Sequence, residues 1–124
     1  MKSARILSLL LSLALPGGCA VNPVTGQQQL SLVSDRQEIQ IGEAQYEPAQ
    51  QSQGGRYYLD PALQDYVRVV GDKLAAVSDR RLPYEFVVLD NPVPNAWALP
   101  GGKIAVNSGL LLYLQDEAEL ASVI

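Results

Sequence analysis

The stretch Asn95-Ala96-Trp97-Ala98-Leu99-Pro100-Gly101-Gly102-Lys103-Ile104-Ala105-Val106-Asn107-Ser108-Gly109-Leu110-Leu111 decides the fold of this 124-residue chain. Trp97 to Leu99 and Lys103 to Val106 are short β-prone runs on either side of Pro100-Gly101-Gly102, which is a turn signal. The two runs either pair as a hairpin or follow one another as separate short strands. Ser108 to Leu114 is apolar and reads as helix, and Asp116 with Glu119 has the D-x-x-E form that opens a further one.

Upstream, Tyr84 to Leu89 is another β-prone run, linked to the deciding stretch through the irregular Asn91-Pro92-Val93-Pro94. Before it, Asp60 is placed to cap a helix and Pro61 suits its first position; Leu63, Tyr66, Val67, Val70, Leu74 and Val77 then recur at helical spacing. That stripe reads as a core-facing surface rather than a cofactor box. Gly54-Gly55 ends a polar break from Gln50. Ser34 with Gln37 forms an S-x-x-Q capping box for a first helix ending near Pro48, with a weak stripe at Ile41, Ala44 and Gln45. The expected fold is therefore α+β over residues 34–124: N-terminal helices packed with a small β-sheet that leads into the start of one more helix.

The N-terminal part is of another kind. Lys2 and Arg5 precede the short apolar run Ile6 to Leu15, and Pro16-Gly17-Gly18 closes it before Cys19. A basic start, a short apolar stretch and small residues at its end make residues 1–18 a secretory signal peptide. A helix of that length covers about half of the ~30 Å hydrocarbon core and is poorly suited to span it. The lone Cys19 resembles the lipobox cysteine of bacterial lipoproteins, with Leu15 one place early. That resemblance implies lipidation at Cys19, an anchored tether over 19–33, and, from Ala20, an outer-membrane location facing the periplasm. An unpaired thiol in an exported chain otherwise lacks a partner.

Composition excludes several functions. The chain carries 9 basic and 13 acidic residues, net −4; without Lys2 and Arg5 the balance is 7 against 13, net −6. Counterion-driven binding to nucleic acid is not expected at that charge. With no histidine, these residues alone build no Ser-His-Asp triad and no histidine-ligated zinc.

The deciding stretch, followed by Glu119-Leu120-Ala121-Ser122-Val123-Ile124, resembles the HtpX/BepA-like zinc metallopeptidases, the CAAX prenyl endopeptidase type. In that family an N-A-[FW]-A-x-P-G-G-x-I-x-V segment precedes a zincin-like helix whose E-L-A-x-V-[IL] start runs into H-E-x-x-H. There, two histidines on one helical face hold zinc and the glutamate serves as base for bound water. The motif is not among these residues, so the expectation is an exported zinc metalloendopeptidase truncated before its catalytic motif. Zinc is then expected only in the full-length enzyme, and no catalytic or metal residue is assigned here. Glu117 and Glu119 read as first-turn carboxylates favoured by the helix dipole, not as ligands. The resemblance further implies polypeptide substrates aligned on the strand before the zinc helix, with Asn95, Ala96, Trp97 and Ala98 as substrate-binding residues. Trp97 equally fits a core anchor and Asn95 a turn former. The alternative is a non-catalytic envelope lipoprotein that keeps a peptide-binding edge strand.

Overall fold

A computed structural model describes residues 19–21, 28–30 and 33–124. The signal peptide expected over 1–18 lies outside the described residues. The described residues divide between two units, one within 1–32 and the other over 33–124. In the first, β1 (Cys19–Val21) pairs antiparallel with β2 (Gln28–Leu30), Ala20 opposite Gln29. The segment expected as a tether over 19–33 contains this short strand pair.

In the second unit, Ser34 opens α1 (Asp35–Ser52): its Oγ accepts the Gln37 N–H at 3.3 Å, while the Gln37 Oε1 accepts the Ser34 N–H at 3.0 Å. The helix continues through Pro48, against the expected end there. Proline removes a main-chain bond, but Tyr46 and Gln50 are buried and the Gln50 carbonyl accepts the N–H groups of Gln53 and Gly55 at 3.0 and 2.8 Å. The expected stripe is also corrected. Ile41, Ala44 and Gln45 are exposed, and the buried face is Gly42, Tyr46 and Gln50.

α2 (Pro61–Ala76) starts where Asp60 and Pro61 place it, with Asp60 Oδ1 accepting the N–H groups of Ala62 and Leu63 at 3.0 and 3.4 Å. Of its stripe, Val67 and Val70 are fully buried, whereas Tyr66 and Val77 stay exposed.

The sheet contains β3 (Glu85–Leu89), β4 (Ala96–Leu99) and β5 (Lys103–Asn107) in the order β3-β5-β4. β4 and β5 form the hairpin, Trp97 opposite Ala105, and β3 lies parallel to β5 with Val87 opposite Ala105. Phe86 to Leu89 are all buried because helices cover both sheet faces. On one face Tyr46 of α1 meets Val87, Leu89 and Ala105, with Trp97 and Leu99 against them. On the other, Val67 and Val70 of α2 and Leu120 pack on Phe86, Val88 and Val106. α3 (Ser108–Leu111) is shorter than the helix expected to Leu114, and α4 (Glu117–Val123) follows. The fold is α+β. Among the described residues, no helix is long and apolar enough to cross a membrane.

Candidate functional site

The four residues read as substrate-binding lie on the outer strand of the sheet and at its approach. Asn95, exposed, precedes β4 and its carbonyl accepts the Asn107 N–H at 2.9 Å. That bond sets the phase of the antiparallel ladder: Trp97 and Leu99 exchange main-chain bonds with Ala105 and Lys103. The N–H and C=O groups of Ala96 and Ala98 consequently face away from β5, along the sheet's outer edge. Ala98 is exposed and Ala96 half-buried against the α2-side core.

Trp97 points to the opposite face. Its ring stands edge-on to Tyr46, centroids 6.3 Å apart at 82°, and among the described residues its buried Nε1 has no hydrogen-bond partner. The side chain therefore anchors the strand in the α1-side core, while its neighbours carry the outward main-chain groups. Burial of Tyr46, with Glu85 nearby, pushes its phenol pKa up; the neutral hydroxyl donates to the Ile104 carbonyl at 3.2 Å.

Two asparagines that the sequence reading did not single out hold the approach to β4. Asn91 Nδ2 donates to the Gln53 carbonyl at 3.2 Å, and its Oδ1 accepts the Val93 N–H at 3.0 Å. Asn107 Nδ2 donates to the Val93 carbonyl at 3.0 Å, while among the described residues the buried Asn107 Oδ1 has no partner. A polar residue ending an apolar strand was the available signal for Asn107. At the other end of β4, Gly101 and Gly102 take φ of +77° and +83°, as the turn requires. The turn sits on α1 so closely that a Cβ on Gly42 would lie 1.9 Å from the Pro100 carbonyl oxygen.

At the start of α4, Asp116 Oδ1 accepts the Glu119 N–H at 2.9 Å and Glu119 Oε2 accepts the Gln115 N–H at 2.7 Å. Glu117 pairs with Lys73 at 2.7 Å. Among the described residues no group of three or more His, Cys, Asp or Glu side chains is placed to hold a metal ion. The backbone at Cys19 belongs to β1; the lipidation expected at its thiol lies outside what the structure describes.

Comparison with known proteins matches peptidase family M48 to residues 61–124. The chain is 42% identical over 65 residues to a putative beta-barrel assembly-enhancing protease of Vibrio cholerae, covering 52% of the chain and 13% of that protein. It is 31% identical over 103 residues to the beta-barrel assembly-enhancing protease of Yersinia pestis, covering 82% and 21%. Against the mitochondrial metalloendopeptidase OMA1 of Schizosaccharomyces pombe it is 32% identical over 106 residues, covering 82% and 31%. The chain thus spans between 13% and 31% of the length of these relatives. More than half of the chain falls within the family match, and the chain belongs to peptidase family M48.

Proposed function

We propose that these residues serve a zinc-dependent metalloendopeptidase of the bacterial envelope by presenting β4 as the template on which an extended substrate segment adds as a further strand. The observation that carries this reading is the outward main-chain row of Ala96 and Ala98 on the sheet's outer edge. Main-chain pairing supplies affinity without regard to most side chains, which suits a protease that takes many unfolded polypeptides. Membership of family M48, and relatives named for beta-barrel assembly or as metalloendopeptidases, support hydrolysis of peptide bonds in envelope proteins. In this reading zinc is held by an H-E-x-x-H segment continuing α4, and a lipid on Cys19 anchors the protein to the outer membrane, facing the periplasm.

The reading frame beyond codon 124 tests the first point: H-E-x-x-H in frame, and chelator-sensitive cleavage of an unfolded outer-membrane protein by the product, are expected. A stop codon combined with retained peptide binding favours the second reading, a non-catalytic envelope lipoprotein. Labelling with radioactive palmitate tests the anchor, with loss of label expected in Cys19→Ser. Absence of label from the unsubstituted protein overturns it.

A further inference from the structure

The sheet has two outer strands, and their edges are finished differently. On β3 the main-chain groups of Phe86 and Val88 face away from β5, since Glu85 donates to the Gly102 carbonyl at 2.9 Å and the parallel ladder alternates from there. Three of these four outward groups are taken. The Phe86 carbonyl accepts Gln64 Nε2 at 3.0 Å, and the Val88 N–H donates to Gln64 Oε1 at 2.8 Å. Beyond them, the Val88 carbonyl accepts the Tyr57 N–H and the Asp90 N–H donates to the Gly55 carbonyl, both at 2.9 Å. The side-chain amide of Gln64 thus supplies the donor and acceptor that the N–H and C=O of one residue in an added parallel strand would supply.

There is open space for a short extended segment beside Phe86, before the Gly55–Tyr57 segment is reached. A groove of about 290 Å³ runs beside this half of β3, bounded by Gln64, Arg68, Asp72, Tyr84 and Phe86. An unpaired strand edge next to open space is a template for any extended chain. A polypeptide recruited by main-chain bonding would have two edges to choose from, and productive alignment needs one.

We propose that Gln64 is a specificity-determining residue: its amide closes the β3 edge and confines strand addition to β4. This rests on the reading of β4 as the substrate edge. The Gly55–Tyr57 segment covers the far end of this edge, and the Phe86–Val88 part is closed by one side chain from α2, so one substitution isolates that part.

The test uses the whole chain, Gln64→Met, which keeps the side-chain length and removes both hydrogen bonds, and a heptapeptide of alternating valine and threonine, read by amide hydrogen exchange. With the unsubstituted protein, added peptide is expected to slow exchange at Ala96 and Ala98 and to leave Phe86 and Val88 unchanged. In Gln64→Met, exchange of the Val88 amide without peptide is expected to rise about tenfold, the factor set by losing one hydrogen bond's worth of protection. Added peptide then slows exchange at Phe86 and Val88 as well, or the protein self-associates through β3 in light scattering. Should Gln64→Met fail to fold, Gln64→Glu serves instead, since it keeps the acceptor for Val88 and loses only the donor to Phe86. A folded variant that stays monomeric and gains protection from peptide at β4 alone overturns the proposal. No gain of protection at Ala96 and Ala98 in the unsubstituted protein refutes the β4 reading instead; gain at β3 in the variant then still supports the closure, and no gain overturns it.

Discussion

Glu38 receives both terminal nitrogens of Arg80, Nη2 on Oε2 at 2.7 Å and Nη1 on Oε1 at 3.0 Å, and the same Oε1 accepts the Gly101 N–H at 3.2 Å. One carboxylate therefore joins α1, the loop between α2 and β3, and the turn between β4 and β5. The geometry is the two-pronged one that makes arginine–carboxylate pairs stronger than single contacts.

Arg80, outweighing partial burial, holds the Glu38 carboxyl below its ordinary value of 4.5. A depressed carboxylate adds stability that is present above the unfolded-state value and lost as pH falls through the folded-state value. Glu38→Gln is expected to cost about 0.5–1 kcal/mol at neutral pH, a modest figure because the pair is partly solvated. Urea melts between pH 3 and 7, a range spanning about two units around the ordinary carboxylate value, should show a flatter pH profile for the variant. Parallel profiles would remove Glu38 as the source.

Gly42→Ala sets two effects against each other. Alanine favours the helix by about 0.5–1 kcal/mol over glycine. Its Cβ, however, would lie 1.9 Å from the Pro100 carbonyl oxygen, so the turn must move. Overpacking of that kind costs about 1–3 kcal/mol. Net destabilisation of about 1 kcal/mol in urea is expected, with amide shift changes centred on Pro100 to Lys103. A stabilised variant would show that the turn yields freely.

The ion pair of Lys103 and Glu85 is asymmetric, with the lysine side chain 3% exposed and the glutamate 53%. Lys103 Nζ also lies 5.7 Å from the Tyr46 ring centroid. Glu85→Gln leaves the buried ammonium an amide oxygen and that ring but no counter-charge, and is expected to cost about 2–3 kcal/mol, below the ~3–5 of a wholly buried pair. Lys103→Met leaves a glutamate that water reaches and is expected to fall within about 1 kcal/mol of the original. Equal losses from both, in denaturant melts, would contradict this asymmetry.

Local signals carried much of this fold into the sequence. Asp60-Pro61, the Pro100-Gly101-Gly102 turn and the Asp116 cap each act through neighbours along the chain, and each forms as read. The buried face of α1 was misread because its closest contact depends on a missing side chain, at Gly42, and its other members, Tyr46 and Gln50, do not form an apolar stripe. The parallel pairing of β3 with β5, the Arg80 clasp and the Gln64 closure join residues far apart in sequence, where no periodicity points. Trp97 shows the same limit within the candidate site. Its side chain serves the core while its strand offers an edge, a division set by the pleat and the ladder phase rather than by residue type.

That division makes Ala98→Pro the sharpest test of the edge. Ala98 is not one of the residues that bond β5, so its N–H is dispensable to the hairpin, and proline is tolerated on an outer strand where the N–H faces away. The side chain is exposed, leaving space for the ring. Stability should change by less than about 1 kcal/mol, whereas an added strand loses a donor and meets the ring, so peptide affinity should fall by about tenfold or more. Titration of the alternating valine–threonine heptapeptide, followed at the Ala96 amide, measures it. A variant that folds and binds the peptide as tightly as the original would place substrate alignment somewhere other than β4.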